Sequence, residues 1–292
     1  MVLTFGGASL ATGLLAACGP DDGGSSSHAK DGPLARPQDT TALARRDGIL
    51  RDRSFAEPPS LDVSASLAPL NTVAPMVYSS LLQTKPGHLQ PAQSEVMGDI
   101  AESWEWSGDG LQLTMKLRQG VFWHDKAPVN GRALDMDDVL FSWNRFASKG
   151  AMRSRLVNIA NPAAPVVSAV ASDPRTLVLK LKEPLVYTTD LLASNDSGGM
   201  LIVPKETDTD FNSRNEMIGT GPFMLSSYTP SVAFTLKRNP RYYDQKYALV
   251  SQVELRSSLN TRLPWPSSRR PTSTTSAATC GRGPSTRRMC FL

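Results

Sequence analysis

With 292 residues and 40% hydrophobic content, the chain is long enough for one large or two medium domains with a true core. The formal net charge of +4 invites a nucleic-acid reading, which its distribution excludes. Residues 257–292 hold six arginines (Arg262, Arg269, Arg270, Arg282, Arg287 and Arg288) and no Lys, Asp or Glu, leaving 25 basic against 27 acidic residues elsewhere. The basicity therefore belongs to that stretch and not to a globular body.

In chain order, residues 1–17 are small and apolar and end in Leu15, Ala16 and Ala17 before Cys18. This resembles a bacterial lipobox, so residues 1–17 are expected to be a lipoprotein signal peptide. Cys18 is then the lipidation site, and acyl chains anchor the protein with about 0.8 kcal/mol per buried methylene. No Lys or Arg precedes Lys30, and a basic start is expected upstream of the first residue given. Residues 18–45 are rich in Gly, Ser and Asp and read as a flexible tether, with His28 solvated.

A globular body is expected over residues 46–256. Val77, Tyr78, Ser79, Ser80, Leu81 and Leu82 read as a helix. Trp104 and Trp106 sit at strand spacing, Gly108, Asp109 and Gly110 give a turn, and Leu111, Leu113, Met115 and Leu117 alternate with polar residues. That pattern predicts a hairpin. Residues 121–124 are expected to start another short strand, and residues 135–145 a helix opened by acidic residues that suit its positive end. Residues 176–181 alternate like an edge strand bounded by Pro174 and Pro184, and residues 201–204 read as a short buried strand. Gly219, Thr220, Gly221 and Pro222 form a rigid turn into a second hairpin over residues 223–236, and Val253 opens one more strand.

His124 with Asp125, and the carboxylates Asp135, Asp137 and Asp138, invite a catalytic reading. They are read instead as parts of a hairpin, a turn and a capped helix. The sequence has no Ser–His–Asp arrangement, phosphate loop or metal-ligand spacing, and its three histidines leave little room for acid–base or metal work. No enzyme activity, metal or cofactor is expected.

Three stretches carry a family likeness: residues 101–145 (AESWEWSGDGLQLTMKLRQGVFWHDKAPVNGRALDMDDVLFSWNR), residues 218–230 (IGTGPFMLSSYTP) and residues 236–244 (LKRNPRYYD). Pro58, Pro59, Ser60, Leu61 and Asp62 add an opening element. Together they closely resemble the family 5 extracellular solute-binding proteins, which deliver peptides, and sometimes nickel or other solutes, to ABC importers. The resemblance implies a mixed α/β fold of the type II periplasmic-binding-protein kind, with mixed β-sheets and flanking helices. It implies two hinged lobes with ligand between them, of which this chain holds the first. One subdomain is expected from residues 46–83 plus 201–256 and the other from residues 84–200.

Beyond residue 256 the likeness stops, and 17 of the next 36 residues are Ser, Thr or Pro. A low-complexity disordered tail is one reading, and a shifted reading frame is the other. Shifted codons over residues 264–275 permit LAQFKAADIYN, close to the family's LAQFKAGDIY, so residues 257–292 are expected to be out of frame. In peptide-binding relatives the aspartate that pairs with the peptide amino group comes from the other lobe, so no residue here inherits that role. Ala68, Pro69, Asn71 and Thr72 after the first strand, and Ser194 and Asn195 near the cleft rim, are candidate ligand contacts or plain surface loops.

The expected function is the substrate-binding component of an ABC importer for peptides or a related solute. It is expected to be a monomer, lipid-anchored in the periplasm or on the outer face of the cytoplasmic membrane, with the permease subunits as partners. The alternative is an extracytoplasmic sensor or chaperone-like module on the same scaffold, which neighbouring permease and ATPase genes would distinguish.

Overall fold

Apolar residues at every second position give a strand one face to bury and one to leave in water. Two four-stranded sheets follow this rule here. The computed structural model describes residues 39–257, apart from 55, 65–67, 86, 88–94, 195–199 and 247. In chain order the strands are β1 (Ile49–Ser54), β2 (Leu82–Thr84), β3 (Val96–Gly98), β4 (Ala101–Trp106), β5 (Gln112–Leu117), β6 (Val166–Asp173), β7 (Thr176–Leu181), β8 (Phe223–Thr229), β9 (Ala233–Arg238) and β10 (Gln252–Ser257). The helices are α1 (Ala74–Val77), α2 (Met136–Lys149) and α3 (Thr188–Ala193). The lipobox with Cys18, most of the tether, and the tail beyond Ser257 lie outside the described residues.

The first large sheet runs β4-β5-β7-β6 and is antiparallel throughout. Leu113, Met115 and Leu117 of β5 and Leu177, Leu179 and Leu181 of β7 point to one side and are buried, with Trp123, Val139 and Trp143 packed into the same cluster. Burying each such side chain contributes about 1.5–3 kcal/mol before the entropy cost. The second sheet runs β1-β10-β9-β8, parallel between β1 and β10 and antiparallel elsewhere. Its inner side supplies Phe223, Leu225, Phe234, Leu236, Val253 and Leu255 to another cluster, which also holds Leu61, Leu70, Val73 and Val77. The short β2-β3 pair leads the chain from one sheet to the other.

Helix α2 starts where the acidic residues sit. The Asp135 carboxylate accepts from the Asp138 backbone N–H at 3.0 Å, and Asp138 accepts from the Asp135 N–H at 3.1 Å. This reciprocal box satisfies two donors that a helix start otherwise leaves open.

Four local expectations change. The helix expected over residues 77–82 is the single turn α1, which ends at Val77. Beyond it Ser79 and Ser80 accept from the Ile202 and Ile100 N–H groups, and Leu82 enters β2, so the backbone is committed to extended pairing. Residues 121–124 form no strand; Phe122 makes only a bridge to Ala133. Residues 201–204 are buried but bridge only at Leu201, to Ser80. Strand β7 is not an edge. It lies between β5 and β6, because residues 166–173 add a strand whose Ser and Ala residues blur the alternation.

Candidate solute-facing surface

The segment carrying Ala68, Pro69, Asn71 and Thr72 is a short turn held from below. Ala68–Leu70 forms one 3-10 turn. Leu70 and Val73 are fully buried, and the Val73 N–H donates to the Leu70 carbonyl at 2.9 Å. Pro75, at the start of α1, fits a position where a helix needs no N–H. Asn71 is exposed and Thr72 half-buried above this anchor. Ser194 is half-buried and closes α3, whose Leu192 and Ala193 belong to the first apolar cluster. The 68–72 turn stands on the second cluster, so the two candidate segments rise from different cores. Asn195 lies outside the described residues.

A polar lock centred on His124 ties down the far end of α1, the helix that follows the 68–72 turn. Its buried ring accepts at Nδ1 from the Gly219 N–H at 3.2 Å, which leaves the Nε2 proton to donate to the Gly221 carbonyl at 3.1 Å. The His124 N–H donates to the Gly219 carbonyl at 2.9 Å, and the Gly221 N–H to the Val77 carbonyl at 2.9 Å. Residues 219–222 thus join the end of α1 to the loop after β5. A Cβ on Gly219 would run into the Val77 carbonyl oxygen, so the turn requires glycine for close approach. Burial, with Lys126 nearby, pushes the His124 pKa down to about 4. The ring is a neutral structural clamp at ordinary pH.

Two arginine centres tie the remaining segments. The buried Arg145 of α2 donates to both Asp62 oxygens at 2.9 Å, to Asp208 at 2.9 and 3.1 Å, to Ser213 at 3.2 Å, and to Ser64. Arg145 hydrogen bonds hold the Asp208 carboxyl far below the usual range. Above this clasp lies an open cleft of about 760 Å3, with Lys149 and Arg214 among its lining; the charges at its floor are already paired. Arg132 bridges Asp138 at 2.6 Å and Glu206 at 2.7 Å, while Trp123 donates its indole N–H to Asp138 at 3.0 Å. At the β3–β4 corner the buried Asp99 accepts from the Ser80 N–H at 2.8 Å and the Tyr243 hydroxyl at 2.6 Å. Burial pushes its pKa up to about 6.

None of these centres has the open, aimed geometry of a catalytic group. Among the described residues no His, Cys, Asp and Glu set could hold a metal ion, and no helix is long and apolar enough to cross a membrane. Sequence reading placed the 219–222 turn but not His124 as its partner. It also missed Asp62 with Arg145, whose signal was a lone charge inside each of two apolar runs.

The profile of the bacterial extracellular solute-binding proteins, family 5 (middle region), matches residues 95–263, more than half of the chain. The chain belongs to this family. Family 5 proteins bind solutes and are not enzymes. The chain is 30% identical over 188 residues to the di/tripeptide-binding protein 2 of Pseudomonas aeruginosa, covering 59% of this chain and 34% of that one. The periplasmic binding protein DppA of Helicobacter pylori, solved with the peptide STSA, matches in fold with a TM-score of 0.62 at 23% identity; 74% of this chain covers 44% of that one. The protein MoaA of A. tumefaciens, solved with mannopinic acid, gives a TM-score of 0.58 at 28% identity, covering 73% of this chain and 41% of that one. The chain spans about a third of the length of the curated relatives it matches. The mixed α/β architecture expected from the sequence is the one these neighbours share.

Proposed function

We propose that the chain is part of the substrate-binding component of an ABC importer, capturing peptides or a related small solute outside the cytoplasmic membrane. The observation that carries this reading is the family match over residues 95–263, with a di/tripeptide-binding protein among the relatives. In this reading the sheets fall into two subdomains, residues 46–83 plus 201–256 and residues 84–200, that form the first of two lobes. Ala68, Pro69, Asn71, Thr72, Ser194 and Asn195 face the solute, the permease subunits receive it, and a lipid on Cys18 holds the monomer at the membrane.

A clamp that closes on its ligand removes it from water on both sides, whereas one lobe leaves half the ligand solvated. A micromolar site rests on about 8 kcal/mol, so losing half the contacts moves it to millimolar or weaker. Calorimetry with di-, tri- and tetrapeptides tests this on two chains: the present one, and one continued beyond Arg256 in the shifted frame. Micromolar binding is expected for the longer chain alone. If no peptide binds the longer chain, the peptide assignment is wrong; equal binding by both would place the whole site on this lobe.

A further inference from the structure

The outward side of the β1-β10-β9-β8 sheet departs from the charge balance of the body. Register places Arg51 and Arg53 of β1 in rows with Glu254 and Arg256 of β10, and Lys237 of β9 opposite Gln252. Val253, Leu255, Phe234 and Leu236 fill the other side and are buried. Arg45 and Arg46 stand exposed just before β1. Six cations, Arg45, Arg46, Arg51, Arg53, Lys237 and Arg256, lie on or just before this side against Asp47 and Glu254, in a body where acidic residues slightly outnumber basic ones. Asp47 accepts from Arg238 at 2.7 Å and Glu254 from Arg51 at 3.1 Å. Asp52 pairs in register with the buried Leu255, on the other side of the strand. Among the described residues no ion pair holds Arg45, Arg46 or Arg53.

Two large apolar side chains are exposed within the same stretch: Leu43 at 77% and Ile49 at 43%. Ile49 shares the side of Arg51 and Arg53. Ile49 beside Arg51 and Arg53, with exposed Leu43, Arg45 and Arg46 just ahead of them in the chain, makes an amphiphilic stretch, able to place cations at phosphate groups and short apolar side chains at the headgroup boundary.

We propose that this face, from Leu43 through β1 to Lys237, rests on an anionic lipid surface. Charge complementarity selects that partner over a neutral membrane. The inference rests on the reading of Cys18 as an anchor, which brings the membrane near. Cys18 precedes Asp39 by 21 residues, a covalent span of no more than about 75 Å. Lipid contact through Leu43, Ile49 and the arginines then adds an orientation to what would otherwise be a loose attachment.

Vesicle flotation tests it on the full chain carrying Cys18→Ser, so that failure of the anchor reading leaves the result interpretable. One vesicle set is phosphatidylcholine; the other is equal parts phosphatidylcholine and phosphatidylglycerol. Preferential flotation with the phosphatidylglycerol set is expected, declining as salt is raised. Changing Arg45, Arg46 and Arg53 together to Gln should reduce partitioning on the order of a hundredfold; changing all three to Lys should preserve it. Leu43→Ser should weaken binding without any change of charge. Equal flotation with both vesicle sets overturns the proposal. So does undiminished binding of the triple Gln variant, which would move the contact to the arginine-rich residues after 257. The Lys variant serves as the folded control.

Discussion

The two large sheets are assembled in opposite ways. The β4-β5-β7-β6 sheet comes from one stretch of chain, and each antiparallel pair in it is closed by a turn or a single excursion through α2. The β1-β10-β9-β8 sheet joins strands from both ends of the described body, with Ile49 opposite Gln252. Loop-closure entropy is therefore modest for the first and large for the second. The difference shows in the polar chemistry. Arg145 joins residues 62–64 and 208–213 to α2, and His124 joins the 219–222 turn to the loop after β5. Both serve the sheet that sequence proximity does not hold together.

Breaking the Arg145 clasp gives the largest expected effect. Arg145→Met leaves Asp62 without its cation and Asp208 with only Lys149 and Ser213, and should cost about 3 kcal/mol in urea unfolding. Hydrogen exchange should show β9 and β10 losing more protection than β5 and β7; an equal loss in both sheets would end the contrast drawn above.

A titration sharpens it. The folded-state pKa of His124, about 4, lies below its ordinary 6.5. Its contribution is complete above pH 6.5 and is lost as pH falls toward 4, on the order of 3 kcal/mol. Asp99 has the opposite sign, with a folded-state pKa of about 6 against 3.8. It destabilises as pH rises from 4 to 6, again on the order of 3 kcal/mol. The two slopes oppose each other in the intact chain. His124→Gln should therefore gain stability on acidification from pH 6 to 4, and Asp99→Asn should lose it steeply. Parallel pH profiles for the two variants would refute the assignment.

Two smaller effects lie outside the sheet split between the chain's ends. Asp135→Ala removes the α2 cap and should cost about 1 kcal/mol by denaturant unfolding, with little change in the β1-β10 pairing. Replacing both Lys85 and Glu95 by Ala removes an exposed pair at 2.9 Å and should shift stability by no more than about 0.5 kcal/mol.

Sequence legibility divides along the same line. The β4–β5 hairpin, α2 and the β8–β9 hairpin were readable because alternation, a glycine turn and acidic residues at a helix start are local signals. Strand β6 was not, because Ser168, Ala169, Ala171 and Ser172 carry no strong alternation. The place of β7 inside its sheet could not be read without that neighbour. Strand β1 is half charged, and its partner lies far along the chain. Of the candidate site, the 219–222 turn was visible as glycine and proline, while its ligation by His124 depends on a contact between residues 95 positions apart. Asp62 and Arg145 meet across 83 positions, and no periodicity encodes such a meeting.

The parallel pairing of β1 with β10 also sets a clock on biosynthesis. During translation β1 leaves the ribosome long before β10 exists. At roughly 5–20 residues per second the wait is on the order of 10–40 s. For that interval Leu50 has no neighbouring strand to cover it, while the β4-β5-β7-β6 meander has everything it needs to fold. Whatever holds the nascent chain in that interval, a chaperone or the ribosome surface itself, meets an arginine-rich strand that cannot yet be buried.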